Sequence, residues 1–382
     1  MARILFTTTL GTSAWAGSEE LWFQAAARLG AEGHEVAACL PKHMRTLANE
    51  KRLVAVQIRP LAGFIDGWRS LATRLSRRFT PTRPTRLSAV VCQARRWRAD
   101  LVVISQASCW GAYSEMLALA EAGIPYGCIS QLNTPFSWPG DRLFEAVGDA
   151  FAKARFCVFV SEGNRKLFEN QVARELSNAC VIYNPPSFPV DEPCLAPPPQ
   201  KPFTLLNVAR IDPAQKGQDL LLDVLSMPKW RQRDVRLEIA GGGNRRWLER
   251  LIAVKGLKNI LLLGQVGDLR AAWERATFGI FPSRFEGMPL AMVEGMALGR
   301  PVIATDVGGH AEWIEDGRNG FLAEAASAPS LDAAMEKAWL EKERSFEMGE
   351  NARAKYKLMT RTSPAVALAA IIEAQKTQRC QS

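Results

Sequence analysis

Histidine is scarce in this 382-residue chain, which has only His34, His43 and His310, and none of its eight cysteines forms a C-x-x-C pair. Structural zinc sites need clusters of histidine and cysteine at short spacing, so no such site is predicted. An Asp-x-Asp motif near a strand end is also missing. The residues therefore offer no recognisable metal site and no cofactor motif.

Long apolar runs are absent too, and none reaches the roughly 20 residues that span a bilayer. The first residues, Met1–Phe6, lead directly into polar threonines, which predicts a first strand instead of a signal peptide. Several cysteines lie inside apolar runs and behave as small hydrophobic residues. We therefore expect a reduced, cytoplasmic compartment.

Acidic residues are missing from positions 69–98, where nine arginines occur in a chain of net charge +9. Apolar residues recur at helical spacing between Trp68 and Phe79. An apolar stripe beside arginines is typical of a helix on an anionic membrane, here the inner face. The alternative is a solvated helix that packs on its own domain and ends at Pro81 and Pro84. No recognition motif accompanies the charge, so nucleic acid is not predicted.

Strand and helix signals alternate along both halves, which predicts an α/β protein with two doubly wound, Rossmann-like domains. We expect a first domain over residues 1–185, a proline-rich linker over 186–202 and a second domain over 203–363. In the first domain, a third strand is predicted at Val54–Ile58.

Residues 276–305 predict a strand, a loop, a helix and a further strand. The apolar run 276–283 ends at a proline, and Pro289 suits the first turn of a helix over Leu290–Leu298. Gly299 is expected to end that helix. Ligands of open α/β sheets bind beyond the carboxyl ends of strands, and a helix N-terminus there can receive a phosphate.

Two carboxylates belong to this unit, Glu286 in the loop and Glu294 in the helix. A carboxylate beside a phosphate site should accept hydrogen bonds from the hydroxyls of a ribose or a sugar. The alternative is that both are ordinary surface acids that stabilise the helix dipole.

The spacing from Glu286 to Glu294 resembles the E-x7-E motif of retaining glycosyltransferases of the GT-B fold, in the large group called family 4. Further segments match that family in order, specifically over about residues 203–325 and more loosely over 1–185. They are Asn207–Asp219, Leu237–Gly243, Leu263–Val266 and Val307–Gly309 followed by Glu312. The resemblance implies transfer of a sugar from a nucleotide donor, UDP rather than GDP, without a metal. The domains would face each other across a cleft, and a last helix, at about 364–382, would cross back to the first domain.

The resemblance also implies roles for individual residues. Arg210 and Lys216 would neutralise the donor diphosphate, and with Glu286, which orients the sugar, they form the catalytic set. Glu294 would hold the ribose. The remaining donor-binding residues are Gly17, Gly264, Val266, Gly287, Met288, Pro289 and Leu290. Gly241–Gly243 is expected to be a tight turn near the donor.

Many family members place a histidine near the sugar in the first domain, but this chain has none between His43 and His310. Gln131 and Asn133 occupy the corresponding stretch and can offer hydrogen bonds on the acceptor and sugar side. Ser18 can act as a helix N-cap, and Ser161 either as an N-cap or as a residue facing the cleft. The side chain of His310 is expected to be exposed.

The acceptor is expected to be a sugar, a lipid-linked molecule or a small molecule, as in polysaccharide, glycolipid or other glycoconjugate synthesis. Two other functions stay open from the sequence. One is a non-catalytic protein that binds sugar nucleotides on the same fold. The other is a GT-B sugar-nucleotide epimerase, which needs no acceptor.

Overall fold

The computed structural model describes residues 1–11, 15–61, 89–186, 193–199 and 201–377. The apolar stripe Trp68–Phe79 and the arginines up to Arg86 lie outside these residues. The structure therefore bears on the predicted membrane contact only through Arg95, Arg96 and Arg98, around the end of a helix over Ala89–Trp97.

The chain forms two compact units. The first contains residues 1–185 and the chain from Thr362 onward, and the second contains Pro186–Arg361. Each unit has its own parallel sheet and its own buried apolar core.

The sheet of the first unit has seven parallel strands in the order β3-β2-β1-β4-β5-β6-β7. The strands are β1 (Arg3–Thr8), β2 (Glu35–Cys39), β3 (Arg59–Pro60), β4 (Leu101–Gln106), β5 (Tyr126–Ser130), β6 (Cys157–Phe159) and β7 (Ala179–Val181). The predicted strand at Val54–Ile58 is wrong. Val54 and Ala55 end a helix whose N-cap is Thr46, and the third strand starts at Arg59.

Helices connect these strands. In the first unit they are α1 (Glu20–Ala31), α2 (Leu47–Ala55), α3 (Ala89–Trp97), α4 (Tyr113–Glu121), α5 (Phe144–Ala152) and α6 (Glu162–Gln171), with single 3₁₀ turns at Gly17–Glu19 and Lys42–Met44. Ser161 caps α6, because its hydroxyl accepts from the backbone N–H of Asn164. Ser18 caps no helix, since α1 has Glu19 at its N-cap position.

The last helix of the chain belongs to the first unit, although it follows the second unit in sequence. It spans Pro364–Thr377 and packs along α1. Leu368, Ala369 and Ile372 are buried in the core beside β1. Glu373 lies 3.1 Å from the ring Nε2 of His34, so a polar contact accompanies the apolar one.

The second unit has a six-stranded parallel sheet in the order β10-β9-β8-β11-β12-β13. Its strands are β8 (Phe203–Val208), β9 (Val235–Ala240), β10 (Ile260–Gly264), β11 (Phe278–Phe281), β12 (Val302–Thr305) and β13 (Gly320–Ala323). The chain winds outward from β8 to β10, then returns to the other side of β8 with β11. The strand order therefore reverses between β8 and β11, where open α/β sheets bind ligands.

The helices of the second unit cover both faces of this sheet. They are α7 (Pro213–Lys216), α8 (Gln218–Leu225), α9 (Pro228–Arg231), α10 (Arg245–Lys255), α11 (Arg270–Arg275), α12 (Leu290–Ala297), α13 (His310–Trp313), α14 (Ala328–Leu340) and α15 (Ser345–Met359), with a 3₁₀ turn at Lys342–Arg344. The final helix, Pro364–Thr377, is α16.

The described part of the proline-rich segment, 193–199, packs on the second unit. Leu195 is buried, and its backbone N–H donates to the carbonyl oxygen of Leu298. The buried guanidinium of Arg300 donates to the carbonyl oxygen of Ala196 at 2.8 Å. These contacts fix residues 194–196 against the helix that carries Glu294.

Among the described residues, no helix has both the length and the apolar character needed to cross a membrane. The described cysteines, Cys39 to Cys194, are all free thiols.

Candidate functional site

The main polar cluster of the second unit lies at the carboxyl ends of β8 and β11, where the strand order reverses. Lys216 ends the short helix α7 after β8, and Glu286 lies in the loop after β11. The ammonium Nζ of Lys216 donates to Glu286 Oε1 at 2.5 Å. The hydroxyl of Ser283 donates to the same oxygen at 2.8 Å.

The Lys216–Glu286 pair is largely shielded from water but still open to a ligand. Glu286 is buried, whereas the Lys216 side chain is 22% exposed. A lysine ammonium has three N–H donors, so the bond to Glu286 leaves capacity for phosphate oxygens. The pair therefore places a cation at the surface and a carboxylate directly behind it.

Backbone contact between the two loops sets this geometry. Gly217 has φ of +66°, and a Cβ at this position would lie 1.9 Å from the carbonyl oxygen of Pro282. Only glycine fits this close approach. The N–H of Arg284 also donates to the carbonyl oxygen of Gln215 at 2.7 Å. The loop that carries Lys216 is thus held against the loop that carries Glu286.

A partly buried ion pair strengthens this contact from the other side. The guanidinium of Arg284 makes two hydrogen bonds to Asp219, at 2.7 and 2.6 Å. Burial alone would raise the pKa of Asp219, but the bonds from Arg284 outweigh burial and hold that pKa below its usual range. Sequence reasoning missed this pair, because neither residue belongs to the E-x7-E spacing.

Arg210, the other predicted phosphate ligand, lies on the loop between β8 and α7. Its side chain is 59% exposed and contacts Asp212 at 2.8 Å and Gln215 at 3.2 Å. Gln218 holds its backbone by donating to the Arg210 carbonyl oxygen at 2.9 Å. Both bonds from the Arg210 side chain use Nη2, so other N–H groups of the fork can reach a ligand.

The loop after β12 packs against the backbone of Glu286. Gly308 has φ of +56°, and a Cβ there would lie 2.2 Å from the carbonyl oxygen of Glu286. The N–H of Gly309 donates to the carbonyl oxygen of Gly287. Loops from β8, β11 and β12 therefore meet around Glu286.

The expectation of an exposed His310 is wrong, because this side chain is fully buried. Its Nδ1 lies 2.6 Å from the carbonyl oxygen of Thr305, which can only accept, so Nδ1 carries the proton. Burial lowers the pKa of His310, although the charge of Glu286 acts in the opposite direction. The neutral imidazole is part of the packing behind Glu286.

The helix α12 begins at Leu290, with Pro289 as its N-cap residue. The sequence predicts Pro289 in the first turn of this helix, but Pro289 lies just before that turn, so the helix starts one residue later than expected. Gly299 ends the helix as predicted: its N–H donates to the Met296 carbonyl oxygen, and the Arg300 N–H donates to that of Gly295. Glu294, on the second turn of α12, is partly buried and lies near enough to Tyr356 of α15 to influence it electrostatically.

The loops after β9 and β10 continue along the same edge of the sheet. Gly241–Gly243 forms the predicted tight turn between β9 and α10 and pairs with Ile211 of the Arg210 loop. Gly264 ends β10, and its carbonyl oxygen accepts from the Gly241 N–H at 2.7 Å. Val266, two residues further, is partly exposed. The predicted donor residues of this unit thus follow successive strand ends.

The predicted site residues of the first unit also surround strand ends. Gly17 opens a 3₁₀ turn after β1. Gln131 is buried after β5, donating to the carbonyl oxygen of Ser18 and accepting from Asn184, both at 2.8 Å. Asn133 is buried and donates to the Asn164 carbonyl oxygen at 3.0 Å. Among the described residues, the Asn133 Oδ1 atom has no hydrogen-bond partner.

Sequence reasoning passed over Glu19, which is completely buried beside the Gly17 turn. The hydroxyl of Thr8 and the indole N–H of Trp22 donate to its carboxyl group. Burial raises the pKa of Glu19 to about 7. The available signal was a pair of acids directly before an apolar run, since Glu19 and Glu20 precede Leu21, Trp22 and Phe23.

Residues 202–340 match the model of the family described as "Glycosyl transferases group 1". The matched segment, called the group 1 domain below, covers most of the second unit. All the loops just described for the second unit fall within this group 1 domain, from Arg210 after β8 to His310 after β12.

Curated relatives of the group 1 domain include an uncharacterised glycosyltransferase of Methanocaldococcus jannaschii, 35% identical over 42% of this chain and 43% of that protein. Another is the alpha-D-kanosaminyltransferase of Streptomyces kanamyceticus, 32% identical over 40% of this chain and 42% of that protein. This chain thus matches only about two fifths of the length of these curated relatives.

Similar solved structures cover nearly the whole chain. HepE of Anabaena, solved with UDP, has a TM-score of 0.71 at 19% identity and covers 98% of this chain and 100% of its own. Sucrose-phosphate synthase of Thermosynechococcus elongatus has a TM-score of 0.75 at 15% identity, covering 99% and 100%. The chain therefore has the GT-B fold, with two Rossmann-like domains, as the sequence predicts.

Proposed function

We propose that this protein is a retaining glycosyltransferase that moves a sugar from a nucleotide-activated donor to an acceptor hydroxyl. The observation that carries the proposal is the Lys216–Glu286 pair at the switch point of the group 1 domain. There the partly exposed ammonium can bind the diphosphate of such a donor, and the buried carboxylate can bind its sugar. The UDP and UDP-glucose complexes of HepE favour a UDP-sugar over a GDP-sugar.

The diphosphate is held by Lys216 and Arg210 and by the start of α12, at Gly287–Leu290. Two cations neutralise it in the bound donor, and they stabilise it further when it departs and its charge grows. Glu294 accepts hydrogen bonds from the ribose hydroxyls. The turn at Gly264–Val266, on the outer strand, lies along the base.

Glu286 accepts hydrogen bonds from sugar hydroxyls and orients the ring. Its bonds from Lys216 and Ser283 fix the carboxylate, so it can hold the ring without first losing rotational freedom. Glu286 is not a nucleophile in this scheme, because the acceptor oxygen attacks the anomeric carbon directly.

In the transfer step, the bond between the anomeric carbon and the diphosphate oxygen breaks, and a bond from that carbon to the acceptor oxygen forms on the same face. The proton of the acceptor hydroxyl passes to the departing diphosphate. The products are a glycosylated acceptor and a nucleoside diphosphate. The acceptor is a sugar, a lipid-linked molecule or a small molecule bound by the first unit, and Gly17 of that unit is a further donor-binding residue.

The decisive experiment incubates the purified full-length protein with UDP-glucose, UDP-galactose, UDP-N-acetylglucosamine and GDP-mannose, and measures release of UDP or GDP. We expect release from one donor, slow with water and faster with an acceptor. Binding without release would identify a non-catalytic sugar-nucleotide binder. Conversion of one UDP-sugar into another without release would identify an epimerase. An inverted anomeric configuration in the product would exclude retention.

A further inference from the structure

The acid Glu19 connects the start of α1 to the end of β1. Trp22 Nε1 donates to Glu19 Oε2 at 2.8 Å, and Thr8 Oγ1 donates to Oε1 at 3.2 Å. The hydroxyl of Thr8 in turn accepts from the N–H of Leu10 at 3.1 Å. One carboxyl group thus fixes the strand end, the loop after it and the first turn of the helix.

Two further hydrogen bonds connect the same turn to residues that follow β5 and β7. The carbonyl oxygen of Ser18 accepts from Gln131 Nε2, and Gln131 Oε1 accepts from Asn184 Nδ2, both at 2.8 Å. Since a carbonyl can only accept, the orientation of the Gln131 amide is determined. The turn Gly17–Glu19 is therefore anchored to β1, to the end of β5 and to the segment after β7.

The surroundings of Glu19 are apolar and tightly packed. Trp22 is fully buried, stacks on Phe6 with ring centroids 5.7 Å apart and also contacts Trp15 at 5.6 Å. A charged carboxylate in such a place loses its hydration, so burial favours the neutral acid. A neutral acid keeps every contact here, because the hydroxyls of Thr8 and Ser18 can either donate or accept.

Resting on the transfer reaction proposed above, we infer that Glu19 is a positioning residue: together with Gln131 it sets the backbone of Gly17, which the proposed function counts among the donor-binding residues. Glu19 itself touches no substrate, because it is completely buried. Ionisation of Glu19 forces the turn to open toward water and misplaces Gly17. Transfer therefore slows as the pH rises through about 7, where Glu19 ionises.

Several charged and titratable groups lie around this turn. Glu20 is next in sequence, and its charge raises the pKa of Glu19 further. Arg52 of α2 pairs with Glu20, which also accepts from the indole of Trp15. His43, on the 3₁₀ turn after β2, contacts the carbonyl oxygen of Leu10. Variants must therefore separate Glu19 from Glu20 and His43.

The test compares Glu19→Ala, Glu19→Gln and the matched control Glu20→Gln as full-length proteins. The donor is the UDP- or GDP-sugar that the wild-type protein turns over. Measured quantities are kcat and KM between pH 6 and 8.5, and the affinity for the free nucleoside diphosphate. Because the nucleotide loops lie in the second unit, retained nucleotide affinity shows that this unit is folded, and urea unfolding followed by tryptophan fluorescence shows whether the first unit, which contains Trp15 and Trp22, is folded.

We expect Glu19→Ala to lower kcat roughly 10- to 100-fold with little change in nucleotide affinity, since positioning of a reacting group is worth this order of magnitude. Glu19→Gln, which copies the neutral acid, should retain kcat at pH 6 and lose the fall in kcat above pH 7. Glu20→Gln should follow the wild-type pH profile. If Glu19→Ala does not fold, Thr8→Val removes one donor and should lower kcat in the same direction.

A folded Glu19→Ala protein with wild-type kcat overturns the inference and leaves the proposed function intact. An unchanged fall in kcat with pH in Glu19→Gln also overturns it. If the wild-type protein turns over no donor, the proposed function fails, and the role of Glu19 fails with it. Turnover by the wild-type protein tests the proposed function. The kcat of Glu19→Ala and the pH profile of Glu19→Gln test the role of Glu19 separately from it.

Discussion

Lys216 and Glu286 are 70 positions apart in the chain, yet their side chains form a 2.5 Å ion pair at the point where the strand order of the second sheet reverses. The pairing depends on Gly217, since any Cβ at that position would collide with the carbonyl oxygen of Pro282. The sequence assigned one of these loops to the diphosphate and the other to the sugar of a donor. In the structure, both loops belong to one hydrogen-bonded cluster.

The pairing predicts that Lys216→Ala damages transfer more than a simple loss of binding would. Removing the ammonium takes away charge that the departing diphosphate needs, and it also releases the Glu286 carboxylate. We expect kcat/KM for the donor to fall roughly 10²- to 10³-fold. The matched control is Lys255→Ala, since Lys255 forms an ion pair of the same length with Asp223 and has the same exposure, away from the switch point. Equal losses in both variants would contradict the role of Lys216.

The two glutamates of the motif should respond differently to mutation. Glu294→Ala removes an acceptor for ribose hydroxyls, so the affinity for free UDP or GDP should fall roughly tenfold, or about 1.4 kcal/mol. Glu286→Gln should leave that affinity nearly unchanged and lower kcat, because the Glu286 carboxylate binds hydroxyls of the sugar and not the nucleotide. Calorimetric titration with the nucleoside diphosphate and steady-state kinetics measure the two effects. Equal loss of nucleotide affinity in both variants would show that the roles are not separate.

Transfer should not require a divalent metal, because two protein cations face the diphosphate. The measurement is the rate of donor turnover with EDTA present and then with added Mg²⁺ or Mn²⁺. We expect the same rate within about twofold in all three conditions. A loss of activity in EDTA that Mg²⁺ or Mn²⁺ restores would overturn the assignment of charge neutralisation to Arg210 and Lys216.

Glu19 should make the stability of the protein depend on pH. Its pKa is about 7 in the folded protein and 4.5 in the unfolded chain, so between these values only the folded state holds the proton. The free energy of unfolding therefore falls by about 3 kcal/mol as the pH rises from about 4.5 to about 7. Above that pH it levels off. Urea unfolding of wild type and Glu19→Gln across this range measures the difference. Parallel pH curves would show that Glu19 does not titrate in this window.

Arg300 should be required for stability. Its guanidinium is buried and donates to the carbonyl oxygens of Trp273 at 2.9 Å and Ala196 at 2.8 Å. Burial lowers its pKa to about 10, so the group is still charged near neutral pH. Arg300→Met removes the hydrogen bonds from a charged donor to these two carbonyls, and we expect a loss of about 2 kcal/mol in urea unfolding. The partly exposed Arg270 supplies the control Arg270→Met, which is expected to change stability by less than about 0.5 kcal/mol.

Sequence patterns predicted the strand before the Glu286 loop within two residues, because buried parallel strands appear as continuous apolar runs between turn signals. The apolar run 276–283 contains the strand Phe278–Phe281. The edge strand β3 was not predicted, since only Arg59 and Pro60 pair there and no apolar run marks them. The apolar residues shortly before it, Leu53 and Val54, belong instead to the helix that Thr46 caps.

The sequence by itself determined the two-domain α/β organisation, the helix start after Glu286 and the residue types of the donor site, because these follow from local periodicity, turn residues and motif spacing. Tertiary structure alone decided which groups meet. It buried His310 behind Glu286, placed Glu19 in an apolar environment that raises its pKa, and brought Lys216 onto the carboxylate. Burial and long-range pairing depend on how strands are ordered in a sheet. The spacing of residues along the sequence does not specify that order.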